Sequence, residues 1–202
     1  MFITENFINA LRNTYPNVSG EQDTKNKLIE PFFGLLGYDI NCSDDIQTEY
    51  TGKQVKNHDR ADYVLCIAGK PKIIVEAKDW HTKLGKAQVN QLYKYFCTSD
   101  CKIAILTNGI HYWFYSDFER ENIMDHHPFH TMNILSPNKS DEALLTAICK
   151  VQQCTYDVNK YIIERKVERL LNDKERLAHI ITSSYFKEKD YDAVLNGIDR
   201  VI

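Results

Sequence analysis

Apolar positions early in the chain recur at the helical period. Phe2, Phe7, Ile8 and Leu11 fall roughly on one side, which predicts a short helix over residues 2–15. Leu28, Phe32, Leu35 and Leu36 form the stripe of a second helix over 21–36, which Ser19 or Asp23 can cap and Gly37 ends. Pro31 lies inside that pattern and predicts a kink or break, because proline lacks a backbone donor. The period then shortens. Residues 46–50 alternate, 63–67 are apolar and β-rich, and 72–78 begin apolar and end in alternation, with Ala68-Gly69-Lys70 as the turn between the last two. A helix over 85–98 follows, with Val89, Leu92, Tyr93 and Phe96 inward. A buried strand at 102–106, the hairpin signal Asn108-Gly109 and an aromatic strand at 110–115 complete this part.

Beyond Glu119 the pattern changes. His126 to Asn138 reads as loop. Ser140 can cap a helix over 141–151, a long charged helix spans 157–183, and a last short helix starts near Asp190. The stripe of the long helix (Val167, Leu170, Leu171, Leu177, Ile181) is suited to docking on the core or on a larger assembly. The pattern is therefore that of an α/β core over 1–135 with a helical C-terminal appendage over 136–202 that packs on the core or extends it.

Composition narrows the class. The chain has 202 residues, 43% of them hydrophobic and 26% charged, which excludes a disordered tail and leaves enough apolar material for one sizeable core. No apolar stretch is long enough to span a membrane, and the N-terminus lacks the pattern of a signal peptide, so the expected location is the cytoplasm. The six cysteines form no CxxC pair and read as free, mostly buried thiols. Neither a P-loop nor a GxGxxG motif occurs. The net charge of −3 argues against a generic polyanion binder, yet between Lys53 and Lys86 eight cations face four anions. That segment could present a locally basic face to a polyanion.

The same segment carries the candidate chemistry. Asp62, Glu76 and Lys78 interrupt the two apolar strands of the hairpin. Glu76 and Lys78 are two apart and leave the same face of their strand. A three-residue loop over 68–70 pairs Ile67 with Pro71 and hence Asp62 with Glu76, with β-carbons about 5 Å apart. Two carboxylates that close repel each other unless something positive lies between them. A divalent ion such as Mg²⁺ resolves that conflict, and Lys78 can hold or deprotonate a water beside it; hydrolysis of a phosphodiester is the chemistry this spacing suits.

The pattern Asp62…Glu76-Ala77-Lys78 resembles the PD-(D/E)XK nuclease signature. More narrowly, the chain resembles the nuclease domain at the start of type I restriction enzyme R subunits. The supporting pieces are Glu21-Gln-Asp-Thr-Lys-Asn-Lys-Leu-Ile, Leu-Gly-Tyr-Asp ending at Asp39, Arg60-Ala-Asp-Tyr, Val75-Glu-Ala-Lys, and Leu106-Thr-Asn-Gly followed by Trp113-Phe-Tyr, spanning roughly 20–116. The resemblance implies a restriction-endonuclease-like αβββαβ core with a mixed sheet. It implies Mg²⁺, replaceable by Mn²⁺, bound by Asp62, Glu76 and the carbonyl of Ala77, with Lys78 as the catalytic lysine. Ala61 stands where the signature has proline. Gln91 and Tyr95 match the glutamine–tyrosine pair of part of that superfamily and lie four apart on one helical face.

Many family members add a carboxylate from the first core helix. Glu21 shares the inward stripe with Leu28 and is the choice here, Glu30 falling on the polar side; Glu49 on the first strand is a further candidate. Lys83 and Lys86 are candidates for DNA contact. The implied function is a Mg²⁺-dependent DNA endonuclease domain acting against foreign DNA. Its partners are double-stranded DNA and the helicase, modification and specificity subunits of a restriction complex, with no membrane. Without a Walker A motif, the chain is either a fragment of an R subunit or a stand-alone relative. The rival reading is a non-catalytic DNA-binding or subunit-docking module; RNA as substrate is a third. His126, His127 and His130 are a weak metal candidate, and Trp80, Tyr93 and Trp113 suit core or rim packing better than base stacking.

Overall fold

The computed structural model describes residues 3–50, 60–150 and 158–185. The chain divides into two compact units, Met1–Val158 and Asn159–Ile202. The first opens with helix α1 (Glu5–Thr14), capped by the Thr4 side chain. A continuous helical run follows: α2 (Gly20–Thr24), a π-helical segment (Lys25–Ile29) and α3 (Glu30–Leu35). The break predicted at Pro31 takes the form of that π segment just upstream. Pro31 cannot donate to the carbonyl one α-turn back, and the helix widens so that the Glu30 N–H reaches the Lys25 carbonyl five residues away.

Six strands form one mixed sheet in the order β1-β2-β3-β4-β5-β6: β1 (Ile46–Tyr50), β2 (Ala61–Ile67), β3 (Lys70–Ala77), β4 (Ile103–Thr107), β5 (His111–Tyr115) and β6 (His130–Asn133). Only β3 and β4 run parallel, and α4 (Lys86–Cys97) supplies the crossover this requires. The helical run, three strands, a helix and a fourth strand reproduce the restriction-endonuclease-like αβββαβ order. One face of the sheet (Val64, Cys66, Ile74, Ala104, Leu106) packs with Leu92, Tyr95 and Phe96 of α4. On the other, Phe33 meets Tyr63 edge-on at 5.3 Å and Phe32 meets Tyr112 at 4.7 Å. Strands β3 and β4 are covered on both sides, which is why they read as apolar runs rather than alternations.

The β2–β3 hairpin differs from expectation in its tip. Ile67 pairs with Lys70 around a two-residue turn, Ala68-Gly69, rather than with Pro71 around three. A bulge then leaves Lys72 without a partner, so Cys66 faces Pro71 but Leu65 faces Ile73. The extra residue restores the register, and Tyr63 faces Val75. One further step sets Asp62 across from Glu76.

Strand β6 lies in the segment read as loop; four residues at a sheet edge give too short an alternation to recognise. Helix α5 (Lys139–Ile148) is capped by Asn138 rather than Ser140, with Asp141 closing a capping box, and packs within the first unit, where the Tyr38 hydroxyl donates to the Ile148 carbonyl. The long C-terminal helix is two helices in the second unit, α6 (Val158–Asn172) and α7 (Lys174–Tyr185), broken at Asp173. Ile163, Val167 and Leu171 of α6 are exposed. No helix among the described residues is long and apolar enough to cross a membrane. Lys53, Lys56, Asp59, Cys154 and the helix expected near Asp190 lie outside the described residues.

Candidate active site

The hairpin and the first helical run bring five charged side chains together. Asp62 on β2 uses both oxygens: one accepts the Ala77 N–H at 2.7 Å, the other accepts from the Lys25 ammonium. Glu76 on β3 is 1% exposed. Its Oε1 accepts from Lys78 Nζ at 2.6 Å, while its Oε2 is buried with no hydrogen-bond partner among the described residues. Glu21 sits at the rim, its two oxygens 3.3 Å from Lys25 Nζ and 4.0 Å from Lys78 Nζ.

The electrostatics follow from burial and proximity. Burial pushes the Glu76 carboxyl up to about 7, the Asp62 charge pushes the same way, and Lys78 opposes both. Burial alone would lower the Lys78 ammonium; its hydrogen bond to Glu76 and the surrounding acids outweigh that and hold it above the ordinary lysine range. Lys25 behaves alike, with Asp62 and then Glu21 overcoming its burial. Both lysines are therefore charged. Three carboxylates and two ammonium groups leave the cluster one negative charge in excess when all are ionised.

Backbone contacts fix this arrangement. The Lys78 N–H donates to the Thr107 carbonyl at 2.8 Å, holding the end of β3 against β4. Thr24, fully buried beside Lys25, accepts the Trp80 N–H at 3.1 Å, so the chain leaving the site is tied to the helix carrying Lys25. The Asn108 amide donates to the carbonyls of Trp80 and Thr82, each at 3.1 Å. Gly109, at φ +82°, lets the β4–β5 loop press on α2 and the π segment; a Cβ there would lie 2.8 Å from Leu28 Cβ. The Thr-Asn-Gly triplet is thus a brace between sheet, helix and site loop.

Other candidates fall elsewhere. Glu30 accepts the Tyr63 hydroxyl at 2.9 Å, on the sheet face opposite the site. Glu49 is exposed and 3.8 Å from Arg60. Gln91 donates to the Tyr95 hydroxyl at 3.1 Å, so the two form a pair on α4. Lys83 and Lys86 are exposed and carry no ion pair among the described residues. His130 meets the buried capping Asp141 at 2.6 Å, apart from His126 and His127 in role, and no His/Cys/Asp/Glu group of three or more among the described residues is gathered as a metal cage. At the hairpin the ammonium groups stand between Glu21 and the other two acids. Trp80 is a peg: its indole N–H donates to the Val18 carbonyl at 3.1 Å and its ring meets Tyr15 edge-on.

Lys25 was not singled out from the sequence. The available signal was its position four residues after Glu21, which puts both on one helical face. A furrow that reaches Trp80, two residues past Lys78, but is lined by none of the five charged side chains, was equally invisible. Two adjoining cavities, of roughly 930 and 500 Å³, share His111 and Trp113. Lys86 lines the first and Lys83 the second; among the described residues neither is lined by a carboxylate, although the chain has 28 acids.

Residues 52–123 match the family described as Type I restriction enzyme R protein N terminus (HSDR_N). The matched segment contains Asp62, Glu76, Lys78, Gln91, Tyr95 and the Thr107-Asn108-Gly109 brace, so the part of the chain that is similar to the N-terminal part of type I restriction R proteins is the part that holds most of the candidate site. No curated protein and no solved structure matches the chain.

Proposed function

We propose that this R-protein-related domain is a divalent-metal-dependent DNA endonuclease, acting in the cytoplasm against foreign DNA as part of a restriction assembly with helicase, modification and specificity subunits. The observation that carries the reading is Glu76, a buried carboxylate beside Asp62 with one oxygen lacking any partner among the described residues. An unpaired buried acceptor is costly, and a hard cation shared with Asp62 would satisfy it. Asp62, Glu76 and the backbone carbonyl of Ala77 would hold Mg²⁺, with Mn²⁺ able to substitute. Two carboxylates and a carbonyl fit an ion that keeps several waters and takes further oxygens from phosphate. Such an ion supplies an acidified water and neutralises charge at the phosphate.

The chain's own residues do the rest. Lys78 presents a charged ammonium to the anionic phosphate. Its hydrogen bond to Glu76 and the surrounding carboxylates together outweigh burial; with those carboxylates engaged by an ion, burial would draw the group toward the neutral form, which suits a base taking a proton from the attacking water. Gln91 and Tyr95 act as a unit that orients Lys78 or the DNA strand. Lys83 and Lys86 contact phosphates along the carboxylate-free furrow, where Trp113 lies in both cavities. Glu21 spaces the two ammonium groups and is the remaining acid in reach of the ion.

A second reading has its own support. Lys25 and Lys78 already pair with Asp62 and Glu76, so the cluster is nearly neutral without metal, as a non-catalytic DNA-binding or docking module would need. Cleavage of supercoiled plasmid in Mg²⁺, with Glu76→Ala and Lys78→Ala as controls, separates the two. Cutting lost in both variants supports the nuclease; equal cutting rejects this site. Mn²⁺ binding by the isolated chain, measured by electron paramagnetic resonance and lost in Glu76→Gln, covers the case in which cutting needs the assembled complex. An RNA duplex in the same assay tests the substrate.

A further inference from the structure

Lys25 makes the most specific contact in the site that no motif accounts for. Its side chain is 13% exposed, and its ammonium donates to the Asp62 oxygen not taken by the Ala77 N–H. It starts the π-helical segment, and Thr24 before it is bonded to Trp80 just past Lys78. The lysine is thus held against Asp62 from both ends of the site rather than resting there as a surface pair. Glu21 Oε1, 3.3 Å away, offers the same ammonium a second acceptor without requiring the helix to move.

We infer that Lys25 is a positioning residue of the metal site: it occupies the Asp62 oxygen that a divalent ion would take, the ion and the lysine compete for that oxygen, and Glu21 receives the lysine when the ion wins. This rests on the metal-site reading above. The charges require such an arrangement. Asp62 and Glu76 repel each other across the hairpin, and burial raises the cost. Lys25 and Lys78 relieve that repulsion one carboxylate each. A divalent ion relieves both at once but cannot share the Asp62 oxygen with an ammonium without like-charge repulsion. Held by Glu21, the displaced Lys25 stays beside the ion as a fixed cation facing the side a phosphate approaches.

The test uses Mn²⁺ alone as the probe, on the full chain. Lys25→Met keeps the alkyl stem and removes the charge. It is expected to bind Mn²⁺ about ten-fold or more tightly than the unaltered chain, whereas Lys25→Arg stays close to it. Equal or weaker binding by Lys25→Met, with binding still lost in Glu76→Gln, overturns the inference and leaves the nuclease reading standing. No binding by either protein overturns both. Should Lys25→Met fail to fold, the unaltered chain gives a second readout: acylation of Lys25 by an amine-reactive reagent, followed by peptide mass spectrometry. Saturating Mg²⁺ is expected to raise labelling of Lys25 several-fold, and not in Glu76→Gln. Unchanged labelling while Mg²⁺ is bound overturns the competition.

Discussion

Asp62 accepts the Ala77 amide at 2.7 Å, tying the first acid of the site to the backbone between the second acid and the lysine. One carboxylate thereby sets where the other two functional groups stand. The same bond makes Asp62 a structural as well as a chemical residue, and the two roles separate by substitution. Asp62→Asn can keep an oxygen on the Ala77 N–H while losing charge; it is expected to fold normally and lose Mn²⁺ binding. Asp62→Ala removes both acceptors, leaving the Ala77 N–H unpaired and Lys25 with Glu21 alone, and should cost about 1–3 kcal/mol more, read by urea unfolding.

The raised Glu76 carboxyl gives a pH dependence of definite sign. Unfolded, a glutamate ionises near about 4.3; folded, Glu76 does so only near about 7. Below the lower value both states hold the proton and this group adds no slope. Between the two the unfolded chain alone releases it, so the folding contribution of Glu76 falls as pH rises and levels off above about 7. Glu76→Gln should flatten that part of the melting-temperature profile. Metal binding runs the other way. Mn²⁺ must displace the proton below about 7, so its affinity should climb with pH to that point and then level.

Gly109→Ala should loosen the brace. The residue sits at φ +82°, and the added Cβ would meet Leu28 Cβ at 2.8 Å. Strain and collision together should cost on the order of 2–3 kcal/mol. Because Asn108 next to it holds the Trp80–Thr82 backbone, the variant should also weaken Mn²⁺ binding without touching a ligand, measured beside its melting curve.

Both tryptophans of the chain border the furrow, so intrinsic fluorescence reads it directly. Duplex DNA added without metal should quench it. Paired Lys83→Ala and Lys86→Ala changes should weaken binding and lower its salt dependence, log affinity against log salt losing about 0.9 of slope per phosphate contact removed. Trp113→Phe should remove most of the signal. Unchanged binding by the double variant would place the DNA elsewhere.

Much of this was legible in the sequence because the burial of an element leaves its mark on composition. Covered on both sides, β3 and β4 read as apolar runs; α4 showed its stripe; Asn108-Gly109 marked its hairpin. The family resemblance holds over 52–123. The hairpin tip is a warning. A three-residue loop gave the right facing of Asp62 and Glu76 by a wrong route, since a two-residue turn and a bulge sum to the same offset. Lys25 stayed hidden because local spacing offers it only Glu21 as an ordinary i,i+4 partner; its contact with Asp62, on a strand beyond the helix, is set by the fold and leaves no local pattern. Strand β6 and the break at Asp173 depend on neighbours that a local pattern does not contain.

The bulge at Lys72, a residue with no partner on β2, has an effect out of proportion to its size. Strand side chains alternate, so hairpin geometry obeys a rule of parity. Draw that residue into the ladder opposite Leu65, with no bulge, and Asp62 would stand across from Val75, facing the wrong side of the sheet. Let the tip take up the extra residue instead, as a three-residue loop over 68–70 with Cys66 facing Lys72, and the acids would meet again. Evolution of such a hairpin is therefore free to trade length between tip and arm, but only in matched steps.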